Sequence, residues 1–238
     1  MRQSIDNLAL DAAGLTKIYG SGNTEVVAVR DVSIQVGKSE IVALVGPSGA
    51  GKSTLLTLLG LVQNPNSGKI KIADTAVFDD DRVMVNVRSF RRKHLGFVLY
   101  KANLIPFLTA AENVQLAMEI NDISSREARR RTTELLNYLE VADRANYLPA
   151  NLSGGQQQRI AVARALANKP SLILADEPTA ALDSVRGRQV MELFRKVAHE
   201  HGSGVIVVTH DQRSLDVFDR ILEMEDGILM QQQKMHRN

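Results

Sequence analysis

A glycine-rich loop between an apolar run and a helix-like run sets the narrowest limits on how this chain folds. The loop consists of Gly46, Pro47, Ser48, Gly49, Ala50, Gly51, Lys52, Ser53 and Thr54. It matches the pattern G-x-x-x-x-G-K-[ST] and lies between the strand-like run Ile41–Val45 and the helix-like run Leu55–Leu59. In a chain of this length, a chance match has a probability of about 1% before that context is required. The sequence therefore predicts a P-loop.

The residue types of this loop suit a nucleoside triphosphate. Glycines let backbone N–H groups converge on phosphate oxygens, and the N-terminus of the following helix adds partial positive charge. Lys52 can reach the β- and γ-phosphates, which suggests roles in binding and in catalysis, and the Ser53 hydroxyl can bind Mg²⁺. We therefore expect the loop to bind ATP, with Mg²⁺ as the accompanying ion.

A second motif places two acids at the end of an apolar strand-like run. Leu172 to Ala175 is followed directly by Asp176 and Glu177. An aspartate in this position can hold Mg²⁺ through water, and the adjacent glutamate can act as general base on the attacking water. Acids also follow strands in ordinary loops, but the presence of a P-loop in the same chain favours the catalytic interpretation.

A third motif, Leu152-Ser153-Gly154-Gly155-Gln156, precedes the helix-like run Ile160–Ala167. Five specified positions give a chance match on the order of one in several thousand. A helix N-terminus preceded by serine and glycines is suited to bind an anion. The chain thus carries a second candidate phosphate-binding helix end.

Together the three motifs resemble those of ABC-type ATPases, and the resemblance covers nearly the whole chain. It implies that Tyr19 stacks on adenine, that His210 contacts the γ-phosphate, and that Ala181-Leu182-Asp183 is the D-loop. It also implies a homodimer in which ATP lies between the P-loop of one copy and the signature of the other. The residues that would bind ATP from the signature side are Ser153, Gly154, Gly155, Gln156 and Asp183. Without the resemblance, Tyr19 and His210 could equally be structural residues.

Smaller features indicate a sub-family. They are Lys17-Ile18-Tyr19-Gly20, Asn151, the run Gln156-Gln157-Gln158, and Ala175. They resemble ATPases of the macrolide-exporter, lipoprotein-release and cell-division group, which implies an integral-membrane permease with a large extracytoplasmic domain as partner. A lipophilic, peptide, lipoprotein or haem-like substrate would be exported or extracted. A mechanotransmitting or regulatory ATPase that signals through a membrane partner is the alternative. The features of translation-factor and DNA-repair members, two cassettes or a coiled-coil insertion, do not occur in the sequence.

Two positions depart from the family. Tyr100 stands where the family has a glutamine that approaches Mg²⁺ and the attacking water, and a phenol lacks the paired groups of an amide. We expect hydrolysis to persist at a low basal rate, and Tyr100→Gln to raise it. The alternative is that Tyr100 points into a hinge and the exchange is nearly neutral. Ser39 replaces a glycine before Glu40, for which a shifted turn is the expected explanation.

The apolar pattern predicts an α/β fold of the P-loop NTPase (RecA-like) type with a mostly parallel sheet. The strand-length apolar runs of the chain are Val26–Val29, Ile41–Val45, Ser171–Ala175, Val205–Thr209 and Arg220–Met224. An N-terminal antiparallel β sub-domain is predicted from Leu8–Leu15, Val26–Val36 and Lys69–Val77. Residues 1–238 would form one ABC ATPase domain, with residues 1–100 and 160–238 as the core and about 101–159 as an inserted α-helical signature sub-domain. Ser124 and Glu127 have capping-box spacing, and Leu135, Leu136 and Leu139 form an apolar stripe.

Composition adds exclusions. The 238 residues carry a net charge of +2, so nothing requires a nucleic-acid partner. Cysteine is absent, which excludes disulfides and thiolate metal sites. Apolar runs are too short to span a membrane, and no signal-peptide core is visible in residues 1–14, so we expect a cytoplasmic protein at the inner face of the cell membrane.

Two segments were open to more than one interpretation. The basic cluster Arg88, Arg91, Arg92 and Lys93 is expected to be a solvated surface. The apolar segment Leu104–Leu108 could belong to the core, or it could line the groove that receives the membrane subunit.

Overall fold

The computed structural model describes residues 7–80, 82–180 and 182–234, with the backbone alone described for 231–234. Across these residues the chain forms two β-sheets and six α-helices. The helices are α1 (Lys52–Leu59), α2 (Val87–His94), α3 (Ala110–Glu119), α4 (Ser125–Tyr138), α5 (Gly154–Leu166) and α6 (Ser184–His201). None of the described helices has the length and apolar character needed to cross a membrane.

The first sheet is antiparallel. In spatial order its strands are β2 (Val26–Gly37), β1 (Leu8–Tyr19), β4 (Ser67–Ile72), β5 (Thr75–Asp79) and β6 (Arg82–Val83). Every described pair of neighbours in this sheet runs antiparallel, which confirms the predicted β sub-domain. β1 is longer than predicted, because it continues through register shifts to Tyr19. The predicted strand Lys69–Val77 was wrong as a single element, because the chain turns after Ile72 and forms the antiparallel pair β4 and β5.

The second sheet is parallel except at one edge. In spatial order its strands are β11 (Ile228–Lys234), β10 (Arg220–Glu225), β3 (Ile41–Val45), β9 (Gly204–Val208), β8 (Leu172–Asp176) and β7 (Leu95–Val98). Only the described pair β10 and β11 is antiparallel. The predicted P-loop NTPase core is thus confirmed, whereas β11 lies partly in a tail that the sequence pattern did not predict as a strand.

Burial on both faces of the second sheet explains its continuous apolar runs. Along β3, Ile41 and Ala43 join the core that packs against α3, α4, α5 and α6, whereas Val42 and Leu44 join the core shared with α1 and the first sheet. Side chains alternate between the faces of a strand, so a strand covered on both sides is apolar at every position.

The segment predicted as a helical sub-domain contains α3 and α4, and its predicted second boundary falls within a helix. Leu135, Leu136 and Leu139 are buried, and the Ser124 hydroxyl accepts a hydrogen bond from the Glu127 N–H at 3.4 Å. The Glu127 carboxylate pairs with Arg130 at 2.6 Å, so the box is not reciprocal. The proposed boundary between residues 159 and 160 lies inside the continuous helix α5.

The turn before Glu40 has Ser39 at the position where the family has glycine. Ser39 adopts a left-handed conformation with φ of 60°, a value that usually favours glycine. The Glu40 side chain accepts a hydrogen bond from the Gly37 N–H at 2.6 Å, which stabilises the turn locally. A shift of this turn relative to the family stays a prediction.

Candidate active site

A cleft of about 780 Å³ opens at the carboxyl ends of β3, β8 and β9. It contains residues of the first two sequence motifs together with His210. The motif residues that line it are Gly46, Ser48, Gly49, Gly51, Lys52, Ser53, Thr54, Asp176 and Glu177. This is the end of a parallel sheet where ligands of α/β proteins usually bind.

The glycines of the loop are required by its path. Gly46 has φ of 145°, and a Cβ atom there would lie 2.0 Å from the Met224 main-chain oxygen. Gly51 has φ of 98°, and its Cβ would lie 2.2 Å from the Ala28 oxygen. No non-glycine residue fits either position without movement of the backbone, so β2 and β10 hold the loop against the sheet.

The Lys52 side chain folds back over the first residues of the P-loop. Its Nζ donates hydrogen bonds to the Gly46 oxygen at 2.8 Å and to the Pro47 oxygen at 2.7 Å. Because an ammonium group has three donors, one remains for a phosphate oxygen. Gly51 is the N-cap of α1 and, within the described residues, no side chain caps this helix end, which leaves its first N–H groups for an anion.

Ser53 and Asp176, the two predicted metal ligands, lie together. The Ser53 hydroxyl hydrogen-bonds to the Asp176 carboxylate, and burial raises the pKa of Asp176 while that hydrogen bond opposes the shift. A hydroxyl and a half-buried carboxylate are hard oxygen ligands of the kind that Mg²⁺ prefers. The described residues contain no cluster of three or more histidine, cysteine, aspartate or glutamate side chains suited to a metal, so remaining ligands would come from phosphate and water.

Glu177, the predicted general base, and His210, the predicted γ-phosphate contact, lie within hydrogen-bonding distance of each other. The His210 Nδ1 lies 2.8 Å from Glu177 Oε2, and the Glu177 side chain is mostly buried whereas His210 is exposed. Glu177 has φ of 47°, and its N–H donates to the Val208 oxygen at 3.0 Å. This strained backbone turns the carboxylate from the end of β8 toward the cleft beside β9.

The signature residues lie elsewhere. The Ser153 hydroxyl accepts from the Gln156 N–H at 3.3 Å, and the Gln156 side chain accepts from the Ser153 N–H at 2.9 Å, which caps α5. Asp183 caps α6 by accepting from the Arg186 N–H at 3.0 Å. Of the described residues, those that line the P-loop cleft include neither the signature nor Asp183. Ala181 of the predicted D-loop lies outside the described residues.

Tyr19 lies beside the cleft rather than within its described lining. It ends β1 opposite Val26, which does line the cleft, and is 38% exposed. Its hydroxyl donates to Gln63 Oε1 at 2.5 Å, and the Lys17 ammonium lies 5.4 Å from its ring centroid. Adenine stacking by Tyr19 therefore stays a prediction.

Tyr100 lies in a different cavity. This cavity, of about 290 Å³, lies between the loop after β7, the start of α5 and the segment after Glu177. Besides Tyr100 it is lined by Leu104, Gln157, Gln158 and Leu182, among others. The arrangement favours the hinge alternative over a contact of Tyr100 with the metal site.

Part of the cleft wall carried no chemical signal in the sequence. Val26 and Ala28 of β2 line it, as do Arg30, Asp226 and Gly227. The β2 residues belong to an apolar run that reads as an ordinary strand, and the turn between β10 and β11 reaches the cleft only through the sheet order. An exposed valine at the start of a predicted strand, as Val26 is, could have indicated a binding surface.

Comparison with known proteins agrees with this geometry. The family described as "ABC transporter" matches residues 29–180. An uncharacterized ABC transporter ATP-binding protein of Thermotoga maritima is 45% identical over 219 residues, which cover 92% of each chain. The macrolide export ATP-binding/permease protein MacB of Salmonella typhi is 41% identical over 92% of this chain, but the match spans only 33% of MacB.

A solved structure extends the likeness to three dimensions. The dimeric post-hydrolysis structure of the ATP-binding cassette MJ0796 bound to ADP and Pi has a TM-score of 0.84 and 39% identity, covering 96% of this chain and all of that one. A protein of this name in Methanocaldococcus jannaschii is 42% identical to the chain. Fold and motifs therefore agree with the resemblance. The chain belongs to the ABC transporter family, as one of its ATP-binding and ATP-hydrolysing cassettes.

Proposed function

We propose that two copies of this chain close head to tail on two ATP molecules and that the cycle of closing and opening drives an integral-membrane permease. One observation carries the dimer. The described lining of the P-loop cleft includes the P-loop but not the signature. In the proposed dimer the signature helix end is supplied by the other copy, and the dimeric MJ0796 cassette supports this arrangement.

The ion at the ATP phosphates would be held by Ser53 and Asp176. Their hydrogen bond places a hydroxyl and a carboxylate side by side, and a cation that they held would favour the charged form of Asp176. When bound, Mg²⁺ neutralises charge on the β- and γ-phosphates. Lys52 contributes a further positive charge at the same end of the triphosphate.

The hydrolytic step uses Glu177 as general base. Glu177 accepts a proton from water as the water oxygen bonds to the γ-phosphorus and the bond to the bridging oxygen of ADP breaks. With its proton on Nδ1, His210 donates to Glu177 at 2.8 Å and so orients the carboxylate. A γ-phosphate oxygen only accepts hydrogen bonds, so the contact that the family resemblance assigns to His210 requires a proton on Nε2 as well.

The membrane partner is the finer part of the proposal. The likeness to MacB, a macrolide export ATP-binding/permease protein, supports a permease as partner. The large extracytoplasmic domain of that permease is inferred from the sub-family resemblance alone. We assign to it the export or extraction of a lipophilic, peptide, lipoprotein or haem-like substrate. The cassette would then lie against the inner face of the cell membrane.

The test is co-purification of the tagged full chain from its native membrane, followed by ATPase assays in lipid nanodiscs. A polytopic membrane protein should co-purify, and ATP turnover should require Mg²⁺ and Glu177. A complex that hydrolyses ATP but moves no substrate in vesicles would indicate a mechanotransmitting role. Absence of any membrane protein from the purified material would refute the proposed partner.

A further inference from the structure

The loop after α1, residues 63–66, lies against the end of the strand that carries Tyr19. The Asn66 Oδ1 accepts a hydrogen bond from the Ile18 N–H at 2.9 Å, and the Asn66 N–H donates to the Thr16 oxygen at 2.8 Å. Both bonds use main-chain groups of β1, which a strand end must satisfy when no neighbouring strand does. The loop therefore fixes the path of the chain directly before Tyr19.

Gln63 is the residue of this loop that contacts the Tyr19 side chain. The Tyr19 hydroxyl donates to Gln63 Oε1 at 2.5 Å, and Gln63 is half-buried. The Gln63 N–H donates to the Thr57 oxygen at 3.3 Å, which attaches the loop to the last turn of α1. A tyrosine ring is oriented by χ1 and χ2 alone, so a hydrogen bond from its hydroxyl to a half-buried partner restricts both torsions.

Lys17 covers one face of the same ring. Its ammonium lies over the ring, 5.4 Å from the centroid, and donates to the Asn64 oxygen at 2.8 Å. A cation in this position is attracted to the negative face of the aromatic ring. Tyr19 is still 38% exposed. A planar ligand would therefore stack on the face opposite Lys17.

The ring lies beside the apolar part of the P-loop cleft. Tyr19 pairs with Val26 across β1 and β2, and Val26 lines the cleft together with Val27 and Ala28. Apolar and aromatic walls next to a few polar groups are typical of small-molecule sites. This part of the cleft suits the base of a nucleotide whose phosphates lie at the P-loop.

We propose that Gln63 is a positioning residue for ATP, because its hydrogen bond holds the Tyr19 ring in the orientation that stacks on adenine. The inference rests on the proposed function, which supplies ATP as the ligand, and on the adenine contact that the family resemblance assigns to Tyr19. Gln63 itself does not touch the nucleotide. A ring that is oriented before binding loses less conformational entropy when the base arrives.

The same helix thus serves both ends of the nucleotide. α1 begins at Lys52 beside the phosphate site, and its last turn holds Gln63 through the Thr57 oxygen. An eight-residue helix is about 12 Å long. Because a helix is rigid over this length, α1 sets the spacing between the phosphate site and the tyrosine that faces the base.

The test compares binding of Mg-ATP with binding of Mg-tripolyphosphate, which has the phosphates but no base, by calorimetric titration of the full chain. Gln63→Met keeps the length of the side chain and removes the acceptor. It should weaken ATP binding by about three- to tenfold, the usual contribution of one hydrogen bond, and leave tripolyphosphate binding unchanged. A defect in folding would alter both affinities and lower the melting temperature.

Matched variants separate the hydrogen bond from other effects. Gln63→Glu keeps an acceptor and should bind both ligands as wild type does. Tyr19→Phe removes the donor and should match Gln63→Met, and the double variant should lose nothing further, because both exchanges break the same bond. Asn64→Ala keeps the main-chain oxygen that Lys17 binds and should change neither affinity.

Tyr19→Ala provides the reference for stacking. Loss of the ring should weaken ATP binding about tenfold or more without affecting tripolyphosphate. If Tyr19→Ala has this effect and Gln63→Met does not, the inference alone is overturned. Additive losses in the double variant would overturn it too. Tighter ATP binding by Gln63→Met would show that Gln63 holds the ring away from the base, which is the opposite of the proposal.

Failure of the underlying assignments looks different. Unchanged ATP affinity in Tyr19→Ala would refute the adenine contact and this inference with it, while the proposed function would stand. A wild-type chain that binds tripolyphosphate and ATP equally well would have the same meaning. Absence of ATP binding by the wild-type chain would overturn the proposed function itself.

Discussion

Two helix N-termini of this chain carry glycine-rich motifs, but their glycines meet different surroundings. At the P-loop, added Cβ atoms would lie within 2.2 Å of main-chain oxygens at both Gly46 and Gly51. At the signature, a Cβ on Gly154 would lie 3.4 Å from Leu182, and one on Gly155 3.8 Å from the Arg186 side chain. Gly46 and Gly51 are required by the packing of this chain, whereas the glycines of the signature are not.

This difference indicates why each motif contains glycine. Glycine in a helix interior costs about 1 kcal/mol relative to alanine. The two signature glycines are the first two residues of α5, where this interior cost does not apply in full, and packing within the described chain does not require them. Close approach of another molecule to the backbone would explain the glycines. In the proposed function, that molecule is the ATP held by a second copy.

The largest effect is expected for loss of the general base, because hydrolysis is the step that both motifs serve when they hold one ATP. Glu177→Gln keeps the shape of the side chain but removes the basic carboxylate, so hydrolysis should fall by about 10²- to 10⁴-fold. ATP should still bind, and a stable dimer should accumulate. Steady-state ATPase assays and size-exclusion chromatography with ATP measure the two properties. Turnover near that of wild type would show that another group is the general base.

The second prediction compares the two glycine motifs directly in the Glu177→Gln background. Gly51→Ala should destabilise the fold by roughly 1–3 kcal/mol, because its φ is positive and its Cβ meets a main-chain oxygen. Gly154→Ala should leave thermal stability unchanged or raise it, yet weaken the ATP-dependent dimer. Thermal melts and chromatography decide the matter. A Gly154→Ala protein that dimerises normally would break the comparison.

The third prediction concerns the side chain of the P-loop. Lys52→Ala removes the positive charge directed at the phosphates, and a charge-assisted hydrogen bond contributes about 1.5–3 kcal/mol. The dissociation constant for ATP should therefore rise by roughly 10- to 100-fold. Fluorescence titration of monomeric protein measures this without the signature half. An unchanged affinity would mean that backbone N–H groups alone hold the triphosphate.

The sequence was sufficient for the elements that combine a local pattern with a motif. Ile41–Val45 was predicted with its observed bounds, because a strand buried on both faces is continuously apolar. The position of Asp176 and Glu177 beside the P-loop followed from the family resemblance. Sheet order did not follow, since only tertiary packing brings the turn after β10 to the cleft.

The sequence also could not predict which residues of the basic cluster and of the segment after Tyr100 are buried. A half-buried arginine and an exposed one look alike in the run Arg88 to Lys93, and only the neighbouring helices decide which is which. The segment Leu104–Leu108 divides in the same way. Leu104 packs partly against the core, whereas Phe107 is 77% exposed, so a cysteine at Phe107 is the better probe of contact with the permease.

The smallest expected effect belongs to Tyr100, which adjoins the start of the signature helix rather than the P-loop cleft. Gln158 Nε2 donates to the Leu99 oxygen at 3.4 Å, so this loop is attached to α5. A glutamine at position 100 would be shorter than tyrosine, and its Cα would still lie at the cavity beside the start of α5 rather than at the P-loop cleft. We therefore expect Tyr100→Gln to change basal ATP turnover by no more than about twofold, as is usual for exchanges away from a site.

The same exchange should act more clearly on communication with the permease. Loss of the aromatic ring enlarges the cavity between the Tyr100 loop, α5 and Leu182. Because these walls would then pack less closely, movement of one would be transmitted less directly to the others. Stimulation of ATPase activity by the permease should fall, while Tyr100→Phe should retain it. Assays with and without the permease measure both properties. A marked rise in basal turnover of Tyr100→Gln would instead restore the expectation drawn from the sequence, that an amide at this position reaches the ion and the attacking water.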